Sequence, residues 1–169
     1  MDLDALMNTD FNQLLNMDIS GIWELSDQTS FVIAMGNWVG RKSDYGKNMD
    51  ILTHEEQTFL ICHLLEEEVN NGGFSQYLFN SAGNHANRAA ASMEEIGAHK
   101  TAEICRRAIG AFQRNIPTDR TQRQEFLDEY LTDEVDAILC KCDDRFYQCP
   151  DDLEQLTYIY ILAHKEAFA

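Results

Sequence analysis

Proline is nearly absent from this chain: Pro117 and Pro150 are the two among 169 residues. A proline inside a helix costs about 3 kcal/mol, and few other residues stop a helix so firmly. The stretches around them are therefore open to long helices. Apolar residues recur at three- and four-residue spacing through most of the sequence, the period of a helix with one buried face. The run Phe31-Val32-Ile33 is a candidate short strand on β-branching alone, but no alternating partner run follows it. The expected fold is all-α, with about seven to nine helices.

Capping signals place the helices. Thr53 and Glu56 make a T-x-x-E box at the start of one. Its expected core face is Phe59, Leu60, His63, Leu64 and Glu67, and Asn71-Gly72-Gly73 supplies the positive-φ positions that close it. Phe74 to Asn80 starts again as a short helix, so the glycines form a joint. His85 to Ile96 and Lys100 to Phe112 follow, the second with Ile104, Ala108 and Phe112 in one stripe. Beyond Pro117, Thr121 to Leu131 carries Phe126, Leu127 and Tyr130, and Thr132 caps a helix that buries Val135, Ile138 and Leu139. Pro150 fits the first turn of a last helix, with Leu153, Leu156, Ile159, Tyr160 and Ala163 inward. Near the N-terminus, Leu6, Phe11, Leu14 and Leu15 mark one helix, and Trp23 through Trp38 another. The length suits one domain over 1–169, its core from about 52 onward and 1–51 a helical extension packed on it.

Charge narrows the partners. With 29 acids against 13 bases the net charge is −16, which repels nucleic acid, nucleotides and anionic membranes. A basic partner is expected, with no direct nucleic-acid binding. Apolar residues make up 44 % of the chain, which argues against disorder. No apolar run reaches the roughly 18 residues of a membrane span, and the N-terminal MDLDALMNTDF has acids where a signal peptide has bases. A cytoplasmic protein is expected, with its five cysteines reduced.

The search for chemistry yields little. His54-Glu55-Glu56 starts like a zinc-protease helix, but Thr58 stands where the second histidine must lie. No histidine has a glutamate three residues before it, as a carboxylate-bridged di-metal bundle requires. Phosphate-binding and nucleophile-elbow glycine patterns are missing. Cys140, Cys142 and Cys149 lack the spacing of a closed zinc site. His63 and Glu67, one turn apart, fit a structural hydrogen-bonded pair. The Gly72-Gly73 amides could cradle an anion, but Glu66, Glu67 and Glu68 just upstream oppose one. Neither catalytic activity, metal nor cofactor is expected.

What remains is acid. Asp119 to Glu154 holds twelve acids and four bases (Arg120, Arg123, Lys141 and Arg145), half of the net charge. Helical carboxylates four residues apart stand about 6 Å apart along the axis, close to two phosphate steps of one DNA strand. The candidate partner-binding residues are Glu125, Asp128, Glu129, Asp133, Glu134, Asp136, Asp143, Asp144, Asp151, Asp152 and Glu154, with help from Glu66, Glu67 and Glu68. Spacing alone leaves open a plainer reading: an acidic interaction or immunity-like module whose acids serve solubility.

One set of residues is more specific. Glu68-Val69-Asn70-Asn71-Gly72-Gly73-Phe74-Ser75-Gln76-Tyr77, then Asn80-Ser81, Glu95-Ile96-Gly97-Ala98 and Asp144-Arg145-Phe146-Tyr147 resemble a bacterial family of small acidic DNA-mimic proteins. The match runs from about Leu52 to the C-terminus. The resemblance implies a mainly helical fold, a homodimer and an acidic face shaped like duplex DNA. That face would be taken by a helix-turn-helix transcription regulator, which is thereby kept off its operator. The motif itself lies at a helix joint and accounts for fold rather than mimicry.

Overall fold

The structure, a computed structural model, describes residues 11–169. Among them are eight bounded α-helices: α1 (Ile19–Ile22), α2 (Gln28–Lys42), α3 (His54–Phe79), α4 (Ala86–Glu95), α5 (His99–Gly110), α6 (Arg120–Tyr130), α7 (Asp133–Phe146) and α8 (Leu153–Ala163). Residues 11–15 are also helical, and no described residue is in a strand. The fold is all-α, as the periodicity predicts. Leu6 of the first predicted helix lies outside the described residues.

The chain divides into two compact units, one ending at Leu60 and resuming at Glu154–Ala169, the other Ile61–Leu153. In the first, the predicted helix from Trp23 to Trp38 is corrected: α1 ends before it, and α2 starts at Gln28, where the Asp27 carboxylate accepts the Ser30 amide at 2.8 Å. Phe31-Val32-Ile33 lies within α2, because burying Phe31 and Val32 in the core outweighs a weak β preference. Phe31 meets Tyr158 edge-on at 5.3 Å, and Phe59 meets Phe168 at 5.9 Å. The Thr53 box forms as predicted: Thr53 Oγ1 accepts the Glu56 amide at 3.1 Å, and Glu56 accepts the Thr53 amide at 2.9 Å. Glu56 is buried, and its other oxygen pairs with Lys42 at 2.7 Å.

Helix α8 corrects a predicted face. Pro150 precedes the helix instead of starting it, and Ile159, predicted inward, is 51 % exposed while Thr157 and Ile161 are buried. A helix that is apolar nearly all round offers no period from which to choose a face.

In the second unit, α5 packs on α4 and α7, and α6 packs on the short 3-10 turn Ser81–His85. Leu65, Val69, Phe74, Tyr77, Ile104, Ala108, Leu139 and Phe146 lie in its core. Beyond Leu60 the face predicted for α3 is on the wrong side: Ile61, Cys62, Leu65 and Val69 are buried, roughly half a turn round the helix from His63 and Leu64, which are only partly buried, and from Glu67, which is exposed. The joint is where expected. Gly73 has φ +72° and ψ −176°, a conformation essentially restricted to glycine, whereas Gly72 at φ −168° is extended. One positive φ, not two, turns the helix.

Arg123 is the deepest departure from the sequence reading. Counted there only in the charge balance, it is 0 % exposed. Its guanidinium donates to the carbonyls of Leu78 (2.6 Å), Asn80 (2.8 Å), Pro117 (3.0 Å) and Thr118 (2.9 Å), and to Asn84 Oδ1 (2.8 Å). Leu78 and Asn80 lie at the C-terminal end of α3, where carbonyls lack helical partners and a cation is favoured. Gly83 lets the guanidinium approach: a Cβ there would come within 2.8 Å of Arg123 Nε.

Candidate partner-binding surface

The sequence-predicted carboxylates separate into two sets. In the first, each is held by the fold. Glu68 accepts from Gln76 Nε2 and Asn80 Nδ2, both at 2.8 Å, and so bridges the joint. Asp143 accepts the Phe74 amide at 2.8 Å, capping the restarted part of α3 from α7, and its carboxylate fills the space a Gly73 Cβ would need. The anion position the glycine amides suggest is thus taken by the chain's own carboxylate. Asp151 caps α5, accepting the Thr101 amide at 2.7 Å and its hydroxyl at 2.9 Å. Glu154, in the first unit, accepts from Gln28 at 3.1 Å and Thr29 at 2.9 Å. Tyr147 adds a further strut at the joint, donating to the Val69 carbonyl at 2.9 Å.

The second set faces outward. Glu125, Asp128 and Glu129 on α6 are exposed, as are Asp133, Glu134, Asp136 and Asp144 on α7 and Asp152 just beyond it. On α3, Glu67 is exposed and pairs with His63 at 3.5 Å, while Glu66 is half-buried. Burial holds the His63 imidazole below its usual pKa despite Glu67. The pair has the character of a structural contact.

Helix dipoles sort this outward set. Asp133, Glu134 and Asp136 lie in the first turn of α7, where Thr132 Oγ1 accepts the Val135 amide at 3.4 Å and negative charge is favoured. Their position needs no function. Asp128 and Glu129 sit in the last turn of α6, and Asp144 near the end of α7, where negative charge opposes the dipole. Glu125 and Glu129 are also like charges one turn apart. Stability alone does not explain these placements.

Cys140 reports the resulting field. This exposed thiol lies 3.9 Å from Asp136, and Asp136 first, then desolvation, then Asp143 and Asp144, push its pKa up. Cys142 is buried and Cys149 exposed, and no three potential metal ligands gather among the described residues. Among the described residues no helix is long and apolar enough to cross a membrane.

These features, an all-α fold with an NNGG joint braced from α7 and a carboxylate-lined outer surface, define a small acidic helical protein. The chain belongs to the DMP19-like protein family, whose model matches residues 50–164. This is the DNA-mimic family that the motif residues resemble. No curated protein and no solved structure matches the chain.

Proposed function

We propose that the protein is a DNA mimic, working as a homodimer, that binds a helix-turn-helix transcription regulator and keeps it from operator DNA. The outward carboxylates of α6 and α7 would stand in for phosphates, centred on Glu125, Asp128, Glu129, Asp133, Glu134, Asp136 and Asp144, with Glu66, Glu67 and Asp152 at the margins. Glu68, Asp143 and Asp151 serve the second unit indirectly, by bracing its helices, whereas Glu154 is a structural contact within the first unit. The observation that carries the reading is the placement of Asp128, Glu129 and Asp144 against their helix dipoles. A family of DNA mimics supplies the use.

The test is capture from host lysate at low salt, elution by a salt gradient, and challenge with duplex DNA. A basic DNA-binding regulator released by salt and displaced by duplex is the expected outcome. The triple variant Asp128→Asn, Glu129→Gln, Asp144→Asn should keep its helicity and melt no lower than the parent. Its salt dependence of binding should be shallower than the parent's, because three charges that attract a basic partner are gone. A partner indifferent to salt and to duplex would sink the proposal.

A further inference from the structure

The acidic surface is interrupted by a cleft of about 510 Å³ between the end of α5 and the junction of α6 with α7. Phe112, Val135 and Ile138 give it apolar lining. Tyr130 forms a wall, with Arg114 stacked over its ring at 4.4 Å. Glu134 stands at the rim, and the Tyr130 hydroxyl bonds to Glu129, which raises the phenol's pKa. The rest of the cleft's lining includes Gln113, Arg114, Thr132 and Glu134, so an apolar patch sits among polar and charged groups, which solubility does not require of a surface. Duplex DNA has a comparable juxtaposition: thymine methyl groups in the major groove take apolar side chains while nearby phosphates take lysine and arginine.

We infer that this cleft receives one apolar side chain from the groove-reading helix of the partner, while the carboxylates around it take that helix's basic side chains. The inference rests on the proposed mimicry and adds a contact that determines specificity. Charge complementarity selects the occupant. Glu129, Asp133 and Glu134 favour an apolar side chain flanked by bases over one flanked by acids. Arg114 is already engaged on Tyr130.

The test uses two synthetic helical peptides with identical lysine and arginine positions, one with leucine and one with serine at the central apolar site. Fluorescence anisotropy would follow their binding to the full chain at low and moderate salt. The leucine peptide should bind about tenfold more tightly at both salts, as burial of one aliphatic side chain allows, with the same salt slope as the serine peptide. Val135→Ser, at a half-exposed position, should abolish the leucine advantage and leave the slope unchanged. Circular dichroism would check that this variant folds.

Equal affinity of the two peptides, with salt dependence retained, would overturn the inference and leave the mimicry intact. Loss of salt dependence for both would overturn the mimicry itself. A shift of Val135→Ser to a smaller species in sedimentation would assign the cleft to contact between copies and overturn the choice of occupant.

Discussion

The joint at Gly72–Gly73 and the helix pair α6–α7 both gather acids, and they use them in opposite ways. At the joint, Glu68 and Asp143 accept from Gln76, Asn80 and the Phe74 amide at 2.8 Å, so their oxygens are used to hold a kinked helix together. Along α6 and the start of α7, Glu125, Asp128, Glu129 and Asp133 project into solvent. Residue type and net charge do not separate the two sets. Only the neighbours of each carboxylate tell whether it is structure or surface.

The largest effect should come from breaking the joint. In Gly73→Ala the added Cβ meets a conformation that only glycine adopts readily, and it also meets the Asp143 carboxylate. Strain together with the displaced cap should cost about 3 kcal/mol in urea unfolding. A loss well under 1 kcal/mol would show that α7 does not brace the joint.

Asp143 sharpens the contrast, because its place at the joint can be probed by removing either its oxygens or its charge. Removing the acceptor in Asp143→Ala leaves the Phe74 amide without its partner and should cost about 1–2 kcal/mol. Asp143→Asn keeps an acceptor and removes the charge. Burial, opposed by the Phe74 amide and aided by Asp144 and Asp136, raises the Asp143 pKa above its ordinary value of 3.8. The folded state therefore holds this proton more tightly than the unfolded state does. Its contribution is complete below the unfolded carboxylate pKa and is lost as pH rises through the raised folded value. The asparagine variant should accordingly gain on the parent as pH rises from acid to neutral, measured by melting temperature at fixed salt. A difference that stays constant with pH would contradict this account.

The two regions were also unequally legible in the sequence. The joint and the helix starts rest on local chemistry: a threonine and a glutamate three residues apart, a glycine pair, Thr132 ahead of an acidic first turn. Such signals survive without knowledge of the fold. The sorting of the acids does not, since the partners of Asp143, Asp151 and Glu154 lie 69, 50 and 126 residues away in the chain. The burial of Arg123 is hidden for the same reason, because the carbonyls that make it tolerable belong to the end of α3 and the segment before α6. The buried face of α8 fails differently, through an excess of apolar residues.

The smallest effect tests whether α7 carries a field outward as well as a brace inward. Cys140 sits between these roles, one turn from Asp136 and near Asp143 and Asp144, which together disfavour its thiolate. Because alkylation proceeds through the thiolate, the reaction of Cys140 with iodoacetamide at mildly alkaline pH should be slow at low salt. Added salt screens the field and should speed the reaction a few-fold, and Asp136→Asn should give much of the same gain without salt. Peptide mapping of the labelled cysteines would isolate this site, with Cys149, also exposed, as the internal reference. If the rate ignored both salt and Asp136, the carboxylates of α7 would be too well solvated to act together. An array that does not act on its own thiol would have little claim to act on a partner's guanidinium groups.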